Sequence, residues 1–334
     1  MTALPPALTA AIEAELQGVP VATLARAVDA LSLRYREAGA AVRIAGLSDA
    51  DVQAYLAYRL PATYAAIVAA LDAAAASLPD WEPRSLLDVG SGPGTAAWAA
   101  LDVWPALQHA VLIDRDPKLI AAGQRLARAA PPALHSAEWR RRSLTAPEPL
   151  PHCDLVVAAY VLGELPADSV DAAVERLWEA CAGTLVLAEP GTPDGYALLQ
   201  RLRGSLQQQG AHTLAPCPHE HECPLLGTDR WCRFVARLER SRLHRLAKRS
   251  ELAYEDEPFA YVAMSRMLPD PYWARVVSRP RAGGRGHLEL ELCTEEGVSR
   301  VTVSRRDGAF YRTARKVRWG DALLGPGAAD HGNG

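Results

Sequence analysis

Apolar residues recur at helical spacing through VATLARAVDALSLRYREAGAAV and again through DADVQAYLAYRLPATYAAIVAALDAAAASL, which predicts helices over most of residues 1–80, with Pro61 marking a break or a first turn. From Ser85 the pattern changes. Short apolar runs, SLLDVG, AVLIDRD, CDLVVAAYVL and TLVLAEP, alternate with helical spans, as in a parallel α/β sheet buried on both faces. A helix follows around Gly195 to Gln209, and then WCRFVARL and FAYVAMSR read as two strands separated by a basic helix. Beyond Trp273, the runs ARVVSRP, HLELELC, VSRVTVS and FYRTARKVRW predict a small β extension, and GPGAADHGNG predicts a disordered end. The chain is thus expected to divide into a helical N-terminal extension (1–80), an α/β domain (81–268) with a cysteine-rich insertion at 215–232, a β extension (269–323) and a tail (324–334).

Composition adds three constraints. The 334 residues, 49% of them hydrophobic, suffice for a large core. No run reaches eighteen uninterrupted apolar residues, and the start MTALPPALTAAIEAELQG is acidic where a signal peptide is basic. Export and membrane insertion are therefore not expected, the compartment is expected to be cytoplasmic, and the cysteines are expected to stay reduced. The formal charge of -3 hides an asymmetry: residues 1–200 hold 14 Lys+Arg against 23 Asp+Glu, and residues 201–334 hold 22 against 16. The basic half carries a run from Arg233 to Arg249 and a group comprising Arg305, Arg306, Arg312, Arg315, Lys316 and Arg318. Such a surface suits a polyanion; a solvated face with no partner is the alternative.

Cysteine placement sharpens the picture. Three of the six cysteines, Cys217, Cys223 and Cys232, fall within sixteen residues, in APCPHEHECPLLGTDRWCRF. Thiolates bind soft metal centres, and a tetrahedral arrangement asks for a fourth ligand. Cys293, in HLELELCTEEG, is the candidate; His219 or His221 could take its place in a zinc site. The gaps of five and eight residues are wider than the close pairs usual for structural zinc, but spacing alone does not separate zinc from iron-sulfur. Buried thiols without a metal are the ordinary alternative, and it is how Cys153 and Cys181, set in apolar segments, are read.

A second constellation lies in the α/β part. Asp88-Val-Gly90-Ser-Gly92-Pro-Gly94-Thr follows a predicted strand and precedes an apolar helix, where glycines allow close approach of backbone to a ligand. The spacing G-x-G-x-G misses the dinucleotide pattern G-x-G-x-x-G, which argues against a nicotinamide enzyme. The segment resembles the first motif of class I methyltransferases that use S-adenosylmethionine. Asp114, at the end of the next strand, is placed to accept both hydroxyls of a ribose, with Asp116 nearer the following helix. Tyr160 and Glu164, at the end of the strand DLVVAAYVLGELP, lie where a methyl acceptor approaches in that fold, although strand-end packing and a helix start account for them equally. Methyl transfer from a sulfonium can run on positioning and desolvation, so the lack of an acid–base signature leaves catalysis open.

Together AYRLPATYAA, LLDVGSGPGTAAWAA, DLVVAAYVLGELP, AEPGTPDGY, CPHEHECPL, WCRF and ARKVRWGD resemble the methyltransferase-like family of small-ribosomal-subunit assembly proteins, known from mitochondria and with bacterial relatives. The resemblance spans about residues 50–321. It implies an α/β class I methyltransferase (Rossmann-like) sheet that binds S-adenosylmethionine through Asp88, Gly90, Gly92, Gly94 and Asp114. It also implies a 4Fe-4S cluster held by Cys217, Cys223, Cys232 and Cys293, which would clamp the β extension onto the α/β domain. The implied partner is small-subunit ribosomal RNA or a precursor of the small subunit. Two rival readings stand beside a methyltransferase acting on that RNA: a non-catalytic assembly factor that keeps S-adenosylmethionine as a structural ligand, and a small-molecule methyltransferase with a structural zinc. Oligomeric state is not encoded in any of these features.

Overall fold

In the computed structural model of the protein, which describes residues 1–37, 46–241, 244–246 and 252–325, the apolar runs assemble into an eight-stranded sheet. Its strands are β1 (Ser85–Val89), β2 (His109–Asp114), β3 (Glu138–Arg141), β4 (Cys153–Ala159), β5 (Cys181–Pro190), β6 (His212–Ala215), β7 (Phe234–Glu239) and β8 (Tyr254–Ser265). They lie in the order β3-β2-β1-β4-β5-β8-β6, with β1 to β5 parallel and β8 antiparallel to β5. This is a doubly wound sheet of the class I methyltransferase type, and its direction of winding reverses between β1 and β4, where such sheets place ligands beyond the carboxyl ends.

The central strands are buried on both faces, which explains their unbroken apolar runs. Alternation along β4 sends Leu155 and Val157 into one core, with Val156 and Ala158 in the other. The first core is shared with α1 (Pro6–Glu15), α2 (Val21–Glu37), α3 (Asp49–Ala54), α4 (Leu60–Ser77), α5 (Thr95–Val103) and α6 (Pro117–Leu126). The second is shared with α7 (Val170–Ala180) and α8 (Pro193–Gln208). Local chemistry sets several helix starts: Ser48 and Asp51 form a capping box on α3, Asp116 caps α6 ahead of Pro117, and Thr192 caps α8 ahead of Pro193. The chain from Asp49 to Ser77 is long and apolar enough to cross a membrane, but 72% of an eighteen-residue apolar window within it is buried inside the fold. Leu60, Tyr64 and Leu71 of α4 are fully enclosed, each worth roughly 1.5–3 kcal/mol of burial. That helix is a layer of the core rather than an appendage to it.

A five-stranded sheet follows, of β9 (Ala274–Val276), β10 (Arg281–Ala282), β11 (Leu288–Thr294), β12 (Gly297–Val303) and β13 (Ala322–Leu323). Its separate core unites Ala274, Val276, Leu290, Leu292, Val303 and Leu323 with Phe310 and Ala314. The last two belong to α9 (Gly308–Ala314), so the expected strand FYRTARKVRW is a helix instead. The reason lies in its spacing: Phe310 and Ala314 are four residues apart and share one helical face.

The basic helix expected between β7 and β8 is described only at residues 244–246. Arg237 lies on β7 and holds Asp256 through two hydrogen bonds of 2.6 and 2.7 Å, and Arg240 pairs with Glu255 at 3.2 Å. Residues 244–246 form a helical turn, while Arg242, Lys248 and Arg249 lie outside the described residues. So does 326–334, nearly all of the expected disordered tail.

Candidate functional site

The carboxyl ends of β1, β2 and β4 carry the predicted nucleoside residues. The chain leaves β1 through Gly90, Gly92 and Gly94 with φ of 68°, 53° and 83°, and Gly94 opens α5. These left-handed angles favour glycine. Close approach of a ligand, however, is not what crowds Gly90. A Cβ there would lie 2.4 Å from Cγ2 of Val161, so the position is closed by a neighbouring side chain. Gly94 is crowded by Trp139 and Leu112, whereas nothing comes within 3.6 Å of a Cβ on Gly92, the nearest atom being the Tyr55 hydroxyl. Of the three, Gly92 is the one whose surroundings leave room.

Asp88 is 1% exposed and accepts the Ala97 N–H at 3.2 Å; burial pushes its carboxyl up to about 8, the nearby Asp114 adding to the effect. Asp114 takes the Gly92 N–H on Oδ2 at 2.7 Å and the Asp116 N–H on Oδ1 at 2.8 Å, which ties the glycine loop to the end of β2. Burial raises its pKa as well. Each oxygen keeps a lone pair for a ribose hydroxyl. Asp116 is occupied as the cap of α6, receiving the N–H groups of Lys118 and Leu119. Two loop hydroxyls, Ser91 Oγ and Thr95 Oγ1, are buried without a protein partner, as expected of a loop that meets a polar ligand.

Tyr160 is the single non-glycine residue with positive φ among the described residues, at 57°, fixed by its N–H to the Ala188 carbonyl at 2.7 Å. Opposite it the chain makes a second unusual turn, a π-helical stretch at Tyr55–Arg59 between α3 and α4. The two irregularities meet. The Arg59 guanidinium lies 5.6 Å from the centre of the Tyr160 ring and pairs with Glu257 at 3.2 Å, and the Tyr160 hydroxyl stands 3.5 Å from the same carboxylate. Glu164 pairs instead with Arg115 at 3.1 Å, its carboxyl pushed up to about 8 by burial against the pull of that guanidinium. Glu189, 3% exposed on β5, accepts the Leu162 N–H at 2.9 Å and holds the turn that carries Tyr160 and Glu164. Sequence reasoning passed over Arg59, Glu189 and Glu257, although the first two lie within AYRLPATYAA and AEPGTPDGY.

The cysteines form the other constellation. β6 and β7 both pair along the same edge of β8, at Thr213–Ala215 and Phe234–Glu239, so the connecting loop must project outward between them. That loop carries Cys217, Cys223 and Cys232 against β11, which brings in Cys293. Cys217, Cys223 and Cys293 are each 7% exposed. Burial raises the Cys232 thiol well above its ordinary range, and Cys217, Cys223 and Cys293 push it further; burial likewise lifts Cys293 to about 12, with Cys217 and Cys223 adding. The four therefore sit within one another's fields. Among the described residues, no three of His, Cys, Asp or Glu already stand in place around a single ion. His219 is buried with Nε2 3.7 Å from the Cys293 sulfur, while His221 is exposed and turned to Glu295 at 3.5 Å. Cys223 borders a groove of about 750 Å³ also lined by Gln200, Arg203 and Gln207. Cys153 and Cys181 stand apart, buried side by side on β4 and β5.

The family model described as mitochondrial small ribosomal subunit Rsm22 matches residues 49–324. The human ribosome assembly protein METTL17, mitochondrial, is 31% identical over 80% of this chain and 61% of its own length. Two proteins of Schizosaccharomyces pombe, Rsm22-cox11 tandem proteins 1 and 2, mitochondrial, are each 26% identical over 82% of this chain and 43% of their own. The chain thus spans about three fifths of the human relative and less than half of the yeast ones. Among solved structures, magnesium protoporphyrin IX methyltransferase from Synechocystis with bound S-adenosylmethionine is 14% identical over 80% of this chain and all of that chain, at a TM-score of 0.40, a likeness too weak to bear on the site. These relatives are mitochondrial proteins, which overturns the expectation of a cytoplasmic one. That expectation rested on an acidic start and the lack of a long apolar run, features read for export and membrane insertion alone.

Proposed function

Because the chain belongs to the Rsm22 family, we propose that it is a methyltransferase-like protein of small-ribosomal-subunit assembly that binds S-adenosylmethionine beyond β1 and β2 and engages small-subunit ribosomal RNA. The observation that carries this reading is the approach of four thiols, three buried and that of Cys232 half-buried, between the nucleoside-binding sheet and the basic second sheet. Cys217, Cys223 and Cys232 come from the loop and Cys293 from β11, so a centre bound to all four joins the two sheets. The residues fit such a group. Beside the thiols lie buried polar atoms with no protein acceptor, Arg275 Nη2 and His219 Nδ1. A tetrahedral zinc needs its sulfur ligands about 3.8 Å apart, given a Zn–S bond near 2.3 Å. The gaps of five and eight residues between the loop cysteines are wider than the close pairs usual for structural zinc, which favours the larger 4Fe-4S cluster. Bound, that cluster supplies cross-linking whose binding energy is also folding energy for the second sheet.

Arg305, Arg306, Arg312, Arg315, Lys316 and Arg318 pair with no carboxylate among the described residues, which leaves them for phosphates. Residues of the other basic group, Arg237 and Arg240, are held by acids of β8. RNA contact is therefore assigned to the second sheet and α9.

Anaerobic purification with an absorption spectrum and metal analysis tests the centre. Brown protein with iron and sulfide in cluster proportion supports it, a single zinc replaces the cluster with a zinc module, and metal-free folded protein refutes it. For the reaction, the acceptor side favours a second reading. The paired Arg59 and Glu257 stand beside Tyr160, on the side expected for an acceptor, which favours a protein that keeps S-adenosylmethionine without transferring its methyl group. Incubation with labelled S-adenosylmethionine and immature small subunits separates the two. Stoichiometric label in RNA means an enzyme, and binding without transfer means an assembly factor.

A further inference from the structure

Arg275 is a buried cation with no carboxylate paired to it among the described residues. It lies on β9, 3% exposed, directly across from Cys293 on β11, so the two side chains rise from the same face of the second sheet. Nε donates to the Pro216 carbonyl and Nη1 to the Gly320 carbonyl, each at 2.9 Å, and the guanidinium lies 4.5 Å from the centre of the Tyr272 ring. Nη2 is buried and has no acceptor. No carboxylate pairs with Arg275 among the described residues; the titratable groups that feel its charge are the phenols of Tyr261 and Tyr272 and the thiols of Cys217, Cys232 and Cys293. Arg203 of α8 acts on Cys217 and Cys293 too. It is 2% exposed, donates to the His221 carbonyl at 2.8 Å and the Thr213 hydroxyl at 3.2 Å, and its one acid, Glu220, is 3.9 Å away.

A guanidinium does not release its proton in a protein, and burying a charge without an opposite charge is strongly unfavourable. The two carbonyls satisfy hydrogen bonds but leave the charge. Tyrosines stay neutral near pH 7, so the nearby groups that become anions are the cysteines, and they do so as metal-bound thiolates.

We infer that Arg275 is the counter-charge of the four-cysteine centre: Nη2 donates to a sulfur of the bound centre, and the Arg275 charge, with that of Arg203, offsets the negative charge of the thiolates. Arg275 is a positioning residue rather than a ligand, and the inference rests on the reading that the four thiols hold a metal centre. A fixed cation beside an iron-sulfur cluster favours its more negative, reduced form and so raises its midpoint potential.

The test uses the full chain, purified without oxygen, with three variants. Arg275→Gln keeps amide donors without the charge. Arg275→Lys keeps the charge without the fork. Tyr272→Phe removes the 2.9 Å hydrogen bond from Tyr272 to Pro216 and the phenol's contact with Arg275, loosening the same joint while leaving the Arg275 charge in place. Metal content, the rate of metal loss to EDTA and the midpoint potential are measured for each. Arg275→Gln is expected to lose metal roughly tenfold faster, as supporting partners of metal sites do, and to have a lower potential. Arg275→Lys is expected to restore the potential, and Tyr272→Phe to leave it unchanged. A wild-type potential and loss rate in Arg275→Gln, or the same loss and potential in Tyr272→Phe, overturns the inference. If the metal is zinc, the loss rates of the three variants decide alone. Wild-type protein without metal refutes the underlying centre, and the inference with it, a result distinct from a centre indifferent to Arg275.

Discussion

Alanine substitution at the three glycines of the β1 turn should separate what the loop owes to packing from what it owes to a ligand. All three have positive φ, and an alanine there costs about 1–2 kcal/mol in backbone strain alone. At Gly90 the new methyl would lie 2.4 Å from Cγ2 and 2.5 Å from Cβ of Val161, adding about 1–3 kcal/mol of overpacking. At Gly94 it would meet Trp139 at 3.0 Å and Leu112 at 3.1 Å, a smaller penalty that side-chain adjustment relieves in part. At Gly92 the nearest atom is 3.6 Å away, so strain acts alone. The expected order of destabilisation in urea melts is Gly90→Ala, then Gly94→Ala, then Gly92→Ala. Val161→Ala removes the Cγ contacts and leaves Cβ, so it should recover part of the Gly90→Ala loss as a non-additive coupling. Calorimetric binding of S-adenosylmethionine should follow another order: Gly92→Ala loses affinity out of proportion to its stability, because its methyl fits beside Tyr55 and Leu119 without a clash yet lies on the side where a ligand would sit. Equal melts for Gly90→Ala and Gly92→Ala would refute the packing argument, and unchanged binding in Gly92→Ala would refute the placement of the ligand.

Three further outcomes are expected. Burial lifts Asp88 and Glu164 to about 8 and Glu189 to about 7, so the folded chain holds protons that the unfolded chain releases near pH 4. Their contribution to stability is complete below pH 4, declines as pH rises and is lost by about pH 8; urea melts of ligand-free protein at pH 5 to 8 should show the decline, Asp88→Asn should reduce its slope by about one proton, and a flat profile would contradict it. Arg59→Met leaves Glu257 buried without its partner and should cost about 3 kcal/mol in thermal melts, whereas adding Glu257→Met should recover most of that; equal losses would mean that the ion pair is not what matters. Charge reversal of Arg312 and Lys316 on the α9 side should weaken RNA binding and reduce the salt dependence of log Kd by about one unit for each lost phosphate contact, while a control reversal of Arg237, already paired with Asp256, should leave both unchanged.

Elements set by local pattern were legible in the sequence: the apolar runs of β1, β2, β4 and β5, the glycine turn after β1, and the cysteine loop before β7. What escaped was set by partners far along the chain. Arg59 meets Glu257 across 198 residues, and neither has a local signal, since an arginine before a leucine-proline and a glutamate in an acidic stretch read as surface residues. The charge count misled for the same reason. It credited Arg237 and Arg240 to a polyanion face, yet both are held by acids of β8. The helix α9 was misread because FYRTARKVRW has strand-type residues at a helical spacing, and the packing of Phe310 and Ala314 on the second sheet decides in favour of the spacing.

One strand joins the two constellations. Along β8, Glu257, Phe259 and Tyr261 lie at alternate positions and so share a face. Glu257 holds Arg59 over Tyr160; Phe259 packs on Phe234, two residues beyond Cys232; Tyr261 stands within reach of the charges on Arg275 and Cys232. β7 pairs with β8 from Tyr254 to Phe259, so whatever fixes Cys232 also fixes the register that presents Glu257. A centre bound to the four cysteines would then restrain the acceptor side through the stretch from Glu257 to Tyr261 of one strand, and its loss would loosen the ion pair over Tyr160 before it disturbed β1 and β2 on the far side of β4 and β5.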